Sequence, residues 1–411
     1  MEHLKIVHIE TERIDGFSIN RLLTLKSICP LLAFASRRVL IILSIRLFAY
    51  EQLILSKFCL LDHSINRRLY NIRKFSYFAK NKNLIFALMK KVFIIVTLIL
   101  FAQTLFPQQK KEISLRYLAH WIPQAQFAGF IMAYEKGFYK KYGLNVELLT
   151  GGPNRSSLDW LAEKKTDICS AWLSSALQLR DKNVKLINIG QLIQRSALML
   201  VAKKEKGIRT IKDLDGKKVA LWQKDFRIQP LALFKKYNLH VELYPLSETQ
   251  NIFIRDVVDV TSVMLYNELH LLKNSGYDEK DLTIFSFQDY GLNFPEDGIY
   301  VLEDYYKRNE QACKDFVTAT LAGWQYAFAH EEESLQLVMK YLTKAKYAAN
   351  EMHQRWMLRQ MYSLLQPSEG AKIGELRESD YTNVVKTLIE SGYIKQNILF
   401  KDFFRSPYGS P

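Results

Sequence analysis

The sequence predicts an α/β protein of two lobes with a mostly helical C-terminal part. Three patterns predict it. From Ile113 onward, short apolar runs alternate with segments whose apolar residues recur at helical spacing, a succession that argues for parallel pairing in a sheet. The same succession restarts after about residue 200, giving two units of similar order. After Tyr300 the periodicity is mostly helical. A chain of 411 residues, 48% hydrophobic and 24% charged, has ordinary globular composition and exceeds one small module, which excludes disorder and fibrous repeats.

Element by element, Ile113 to Trp121 reads as a strand and Gln126 to Gly143 as a helix with Phe127, Phe130, Ile131 and Tyr134 on its apolar face, stopped by Gly143. Asn145 to Gly152 is a strand ending in a glycine turn, followed by a helix over Ser156 to Lys165, a strand over Asp167 to Ala171 and a helix over Ser174 to Lys182. Two strands come next with little between them, VKLINIGQLIQ and SALMLVAKK. The second run has a turn and strand in TIKDLDGKKVALWQ, a helix over Pro230 to Tyr237, the strand VELYPL and a helix around Asn251 to Val257. Asp259 to Gly276 is a strand running into a helix, and LTIFSFQDYG one more strand. Helices over Asp304 to His330, Glu332 to Leu342, Ala348 to Leu365 and Ser379 to Ser391 complete the chain.

The formal charge of +15 is unevenly placed. Residues 1–88 hold 14 Lys or Arg against 6 Asp or Glu, a net of +8, whereas from Gln108 onward 41 basic face 36 acidic residues, a net of +5 with mixed signs. That is a solvated surface and argues against a nucleic-acid partner. Cys29, Cys59, Cys169 and Cys313 have no metal-type spacing and are too few for a disulfide framework. Cys169 and Cys313 read as buried, with pairing between them left open. Met89 opens two lysines, an apolar run from Val92 to about Phe106 and then Pro107, the layout of an export signal over 89–107, with an uncleaved anchor as the competing reading. Such signals work at an N-terminus. The expectation is therefore a native start at Met89, residues 1–88 being an over-extended frame, against a real membrane-proximal segment.

At WIPQAQFAGF (Trp121 to Phe130), EKGFYKKYGLNVEL (Glu135 to Leu148), YNELHLL (Tyr266 to Leu272) and NFPEDGIYV (Asn293 to Val301), the chain resembles the substrate-binding proteins of bacterial ABC transporters related to the thiamine-pyrimidine synthases and to the sulfonate and nitrate binders. The resemblance covers about Ile113 to Leu365. The W-x-P opening with YNE and EDG is similar to the thiamine-pyrimidine branch. The resemblance implies a type II periplasmic-binding-protein fold with a ligand held in a cleft between lobes joined by two crossing segments. Lobe one would be 112–200 plus 298–411 and lobe two 201–297. It also implies an exported, monomeric, cofactor-free binder that delivers a small heterocycle to a membrane permease. A ligand sensor working through a separate membrane partner, and a binder of a sulfonate- or nitrate-like anion, are the alternatives.

Open α/β sheets bind ligands just past the carboxyl ends of their strands, so the candidates are the residues there. Trp121, fixed by the turn at Pro123, either stacks on a planar ring or plugs the core, and Trp172 has the same two readings. Glu268, with Tyr266 and Asn267 at the start of a helix, presents a carboxylate suited to the donor edge of an aminopyrimidine; in related pyrimidine binders a glutamate at this place contacts the base. Asp297 would do similar work or hold a turn at the hinge. Gly151 and Gly152, followed by Ser156, form either an anion seat or a helix cap. Binders of this branch often read W-x-P-N-x-x-H, where this chain has Gln124 and Phe127. These two, with Gln126, complete the expected contacts and imply a flat heterocycle with altered substituents or a different small molecule altogether. The related synthases hold pyridoxal phosphate on a lysine with a nearby histidine; the matching places here are Ala171 and Ser175, which do neither, so no enzyme is expected. The HEEE run at His330 reads as a helix start rather than a metal site, and His353 with Trp356 as packing on one helical face.

Overall fold

The computed structural model describes residues 112–367 and 372–408, together with 13–14, 17–18, 87, 90–95 and 97. The chain forms two compact units, Met1–Gln108 and Gln109–Pro411. In the first, Arg13–Ile14 pairs antiparallel with Phe17–Ser18, and residues 90–95 are helical and exposed. The rest of the 1–88 and 89–107 readings lies outside the described residues. Among the described residues, no helix is long and apolar enough to cross a membrane.

The second unit carries two five-stranded sheets. Strands β1 (Ile113–Leu118), β2 (Leu144–Leu149), β3 (Ile168–Ala171), β4 (Leu186–Ile193), β5 (Leu198–Lys203), β6 (Lys218–Leu221), β7 (Glu242–Pro245), β8 (Val260–Met264), β9 (Leu282–Ser286) and β10 (Glu296–Leu302) follow in chain order. The first sheet has the order β2-β1-β3-β10-β4 and the second β9-β5-β8-β6-β7. As the alternating pattern predicts, β1 runs parallel to β2 and β3, and β6 parallel to β7 and β8. The expectation of parallel pairing fails at β10, which lies antiparallel to β3 and β4, and at β5, antiparallel to β8 and β9. Only four residues separate β4 from β5, too few for a parallel crossover, so the chain passes directly from one sheet to the other and returns through β10.

Helices α1 (Ala128–Glu135), α2 (Ser157–Ala162) and α3 (Leu173–Asp181) belong to the first sheet, and α4 (Ile228–Tyr237) and α5 (Glu268–Asn274) follow β6 and β8. The helix expected over Gln126 to Gly143 is three pieces: a 3-10 turn at Ala125–Phe127, then α1, then a single turn at Phe138–Lys141. Gly137, at φ 69°, takes the left-handed conformation that separates the last two. The C-terminal part is helical as predicted, with α6 (Glu303–Ala329), α7 (Glu331–Lys344), α8 (Glu351–Leu365) and α9 (Glu378–Glu390).

The HEEE run is the start of α7, where Glu331 pairs with Arg355 and Arg359, and Glu333 with Lys136. Cys169 and Cys313 are both unpaired and buried, and burial pushes the Cys313 thiol up to about 12.

Against the first sheet α1 crosses α6 so closely that a Cβ on Gly323 would lie 2.1 Å from the Gly129 carbonyl oxygen, and one on Gly129 would lie 2.3 Å from the Trp324 ring. Backbone cannot yield as a flexible side chain does. Gly323→Ala is therefore expected to lower stability by about 1–3 kcal/mol, read as a shifted urea midpoint at unchanged slope.

Candidate functional site

The site is built from the carboxyl ends of strands in both sheets and from the segments that join them. At the end of β1 side chains continue to alternate. Tyr117, Ala119 and Trp121 face one way and line a cavity of about 70 Å³ with Pro123, Thr150, Gly151, Tyr341 and Lys344. His120 faces the other. Its Nδ1 lies 3.1 Å from Ser170 Oγ and its Nε2 3.4 Å from Asp297 Oδ1, while its ring stands edge-on to Phe127 at 5.2 Å. Serine, histidine and aspartate thus meet, with Ser170 fully buried within β3 and its Oγ accepting from the His120 backbone N–H.

The turn that follows supplies a chain of amides. Gln124 Nε2 donates to Gln126 Oε1 at 2.8 Å, and Gln126 Nε2 donates to Asp297 Oδ2 at 2.8 Å. Because an ionised carboxylate only accepts, Asp297 fixes the orientation of both amides. The backbone N–H of Ala125 donates to Gln354 Oε1 on α8 at 2.8 Å, which ties this turn to the C-terminal helices.

Asp297 is 2% exposed and sits at φ 47°, a left-handed conformation that aspartate tolerates better than most residues. Burial pushes its carboxyl up, and burial pushes His120 down, with each opposing the other's shift. Its neighbour Glu296 is fully buried where the chain crosses between sheets: Oε1 accepts from Ser196 Oγ at 3.0 Å, Ala197 N at 2.8 Å and Leu198 N at 3.2 Å. Asn293 closes the same crossing, accepting from Ser196 N at 3.0 Å and donating to the Gln194 carbonyl at 3.0 Å. Desolvation, with the Asp297 charge behind it, pushes the Glu296 carboxyl up to about 8.

From the second sheet, β8 ends at Met264 and turns into α5 through Tyr266, Asn267 and Glu268. Glu268 is 8% exposed. Its Oε2 accepts from Met264 N at 3.0 Å and its Oε1 from Asn267 Nδ2 at 2.7 Å, while burial pushes it up to about 7. The Tyr266 phenol is buried and pushed well up by desolvation and then by the charges of Asp297, Glu296 and Glu268. Asn267 Oδ1 accepts from His353 Nε2 of α8 at 2.7 Å, and Trp356 Nε1 donates to the Leu265 carbonyl at 3.3 Å. The histidine and tryptophan that read as helix packing therefore pack on the second sheet's turn.

The expected residues fall into several places. Gln124, Gln126 and Asp297 form one buried hydrogen-bonded chain and Asn267 and Glu268 another beside Tyr266, while Phe127 meets the His120 ring edge-on and also lines the Trp121 cavity. Trp121, Phe127 and Gly151 line the cavity of about 70 Å³, whose walls come from the first sheet's strands, α1 and α7. Alternation puts the indole one residue out of phase with the side that carries His120. Trp172 is buried and stands edge-on to Phe226, from the β6–α4 connection, at 4.6 Å; beside it Ser175 donates to Asp225. Ser156 accepts from Asp159 N at 3.3 Å, which makes it the cap of the six-residue α2, and a Cβ on Gly152 would lie 2.8 Å from the Tyr347 hydroxyl. Sequence reasoning missed His120 and Glu296. Each adjoins a residue it singled out.

Chemically the region is rich in acceptors. Three buried carboxylates meet in it or at its edge, whereas the one fully buried lysine or arginine among the described residues, Lys203, pairs with Asp256 at 2.7 Å elsewhere in the second sheet. Such a region favours a ligand edge that donates hydrogen bonds and disfavours an anion.

Comparison with known proteins gives three findings. The sequence model of a family described as NMT1/THI5 like matches residues 124–334. A Haemophilus influenzae protein named for thiamine biosynthesis is 23% identical over 243 residues, 56% of this chain and 74% of that one, and the riboflavin-binding protein RibY of Chloroflexus aurantiacus is 23% identical over 235 residues, 55% of this chain and 66% of that one. Among solved structures, the periplasmic aliphatic sulphonate binding protein SsuA of Escherichia coli superposes with a TM-score of 0.55 at 14% identity, covering 72% of this chain and 94% of that one. The two-sheet unit thus has the periplasmic-binding-protein fold.

Proposed function

This chain belongs to the NMT1/THI5-like family, and from that premise we propose that it is an exported solute-binding protein that captures an amino-substituted planar heterocycle, a thiamine-precursor pyrimidine, between its two sheets and presents it to a membrane permease. One observation carries the reading: Glu268 in the second sheet's turn and the Asp297–Gln126–Gln124 chain in the first are both buried acceptors, and the charges of Glu268 and Asp297 both act on the buried Tyr266 phenol. The amino group of such a heterocycle donates hydrogen bonds, which the remaining lone pairs of these carboxylates accept. Relatives named for thiamine biosynthesis and riboflavin binding support a flat heterocycle. The acidic setting speaks against a sulfonate or nitrate, since an anion buried beside carboxylates pays desolvation with no cation to receive it.

Lobe one, 112–200 plus 298–411, and lobe two, 201–297, close on the ligand about the crossing segments that Glu296 and Asn293 tie together. Ala171 and Ser175 take the places that a cofactor lysine and its histidine would need, which supports binding without catalysis.

A thermal-shift panel tests the class. A 4-aminopyrimidine at about 100-fold excess over its dissociation constant is expected to stabilise the fold by about 2.7 kcal/mol, while taurine, alkanesulfonates and nitrate leave the melting temperature unchanged. Stabilisation by an anion alone would overturn the assignment.

A further inference from the structure

The contact between α5 and α8 pairs two imidazoles that stand 83 residues apart in sequence: His270 Nδ1 and His353 Nδ1 are 2.9 Å apart. We propose that these two nitrogens form a binding site for a borderline-soft divalent cation, zinc, nickel or copper, which staples the second sheet's α5 to the C-terminal helix α8.

The tautomer of His353 is set by its surroundings. Its Nε2 faces Asn267 Oδ1, an acceptor whose own amide nitrogen is committed to Glu268, so Nε2 carries the proton and Nδ1 is left with its lone pair aimed at His270. A ring nitrogen held by an outer hydrogen bond to an amide or carboxylate is the usual support of a metal-bound histidine. In the metal-free state the His270 Nδ1–H donates to that lone pair. A cation replaces this shared proton, and the proton moves through solvent to His270 Nε2, so at neutral pH the exchange releases none.

Further features define the place. The amide nitrogen of Asn274 lies 3.4 Å from the same His270 Nδ1, and a half-turn of that carboxamide brings its oxygen there as a third ligand atom. The His270 ring stacks on Trp356 at 4.9 Å and on His353 at 5.1 Å, which fixes its plane, and both histidines are half-buried, leaving an approach for the ion and for water ligands. The charges around the pair are Glu268 behind Asn267 and Lys273, whose ammonium lies 2.9 Å from Glu279 and 5.1 Å from the Trp356 ring centre. Among the described residues no cluster of three or more histidine, cysteine, aspartate or glutamate side chains has metal geometry, so the pair with an amide and water is a site of moderate affinity that favours imidazole-seeking metals over magnesium or calcium. The inference does not rest on the ligand reading above.

The test uses the tag-free full chain stripped with chelator. Zinc or nickel in excess is expected to raise the melting temperature by about 3 °C while magnesium does not, and His270→Ala and His353→Ala each abolish the rise. Copper(II) bound at one equivalent is expected to show two nitrogen couplings by electron paramagnetic resonance in the natural protein and one in either variant, a readout that a loss of packing alone does not produce. No metal-dependent rise, or an equal rise in both variants, would overturn the proposal.

Discussion

Glu268→Gln is expected to weaken binding of a 4-aminopyrimidine about 10- to 100-fold, measured by calorimetry, with little change in the melting temperature of the empty protein. The carboxylate accepts from Met264 N and Asn267 Nδ2, and a glutamine oxygen still receives the first of these, so the turn into α5 survives. What disappears is the charge that strengthens a ligand's amino contact, about 1.5–3 kcal/mol for a hydrogen bond to an ionised group. The pH dependence gives a second readout. Burial raises Glu268 from 4.5 to about 7, so the ionised form grows as pH rises from 6 to 8. Affinity for a neutral aminopyrimidine is expected to rise with it by about tenfold, and the glutamine variant to stay flat. Equal affinity of the two proteins at pH 8 would remove Glu268 from the site.

The second large effect lies at the crossing of the sheets. Glu296→Ala strips one acceptor from the backbone N–H groups of Ala197 and Leu198 and from the Ser196 hydroxyl, all in a fully buried place. The expected loss is about 3–5 kcal/mol in chemical denaturation. Glu296→Gln keeps an acceptor oxygen and separates charge from hydrogen bonding. The Glu296 carboxyl is raised from 4.5 to about 8, so the folded state holds a proton that the unfolded chain has released. Its contribution to stability is full below the unfolded value and fades as pH rises through 8. Between pH 6.5 and 8.5 this group should cost the natural protein on the order of 2 kcal/mol of stability, and the glutamine variant should lose distinctly less. Parallel pH profiles would show that Glu296 does not carry the linked proton.

Local pattern made part of the site legible. Tyr266, Asn267 and Glu268 are found by asking what stands just past a strand, because that is where a sheet with helical connections leaves room, and Asp297 through the EDG motif at the start of β10. Gln124 and Gln126 are found through the W-x-P turn. Trp121 and His120 show the limit. Both stand at the end of β1 and are adjacent, yet the indole joins the cavity with Tyr117 and Ala119 while the imidazole reaches Ser170 and Asp297. Which side of a strand meets the second sheet depends on how the sheets are set together, and one residue of phase inverts the answer.

The sequence by itself determined the order of strands and helices, the restart after about residue 200, the helical C-terminal part and the family, since apolar spacing and turn residues act within a dozen positions of each other. Tertiary structure alone decided the antiparallel placing of β10 and β5, the clasp of Glu296 on residues 196–198, and the meeting of His270 with His353. Those depend on where segments dozens of residues apart come to rest, and that is set by burial of the sheets as whole surfaces and not by any stretch of chain read alone.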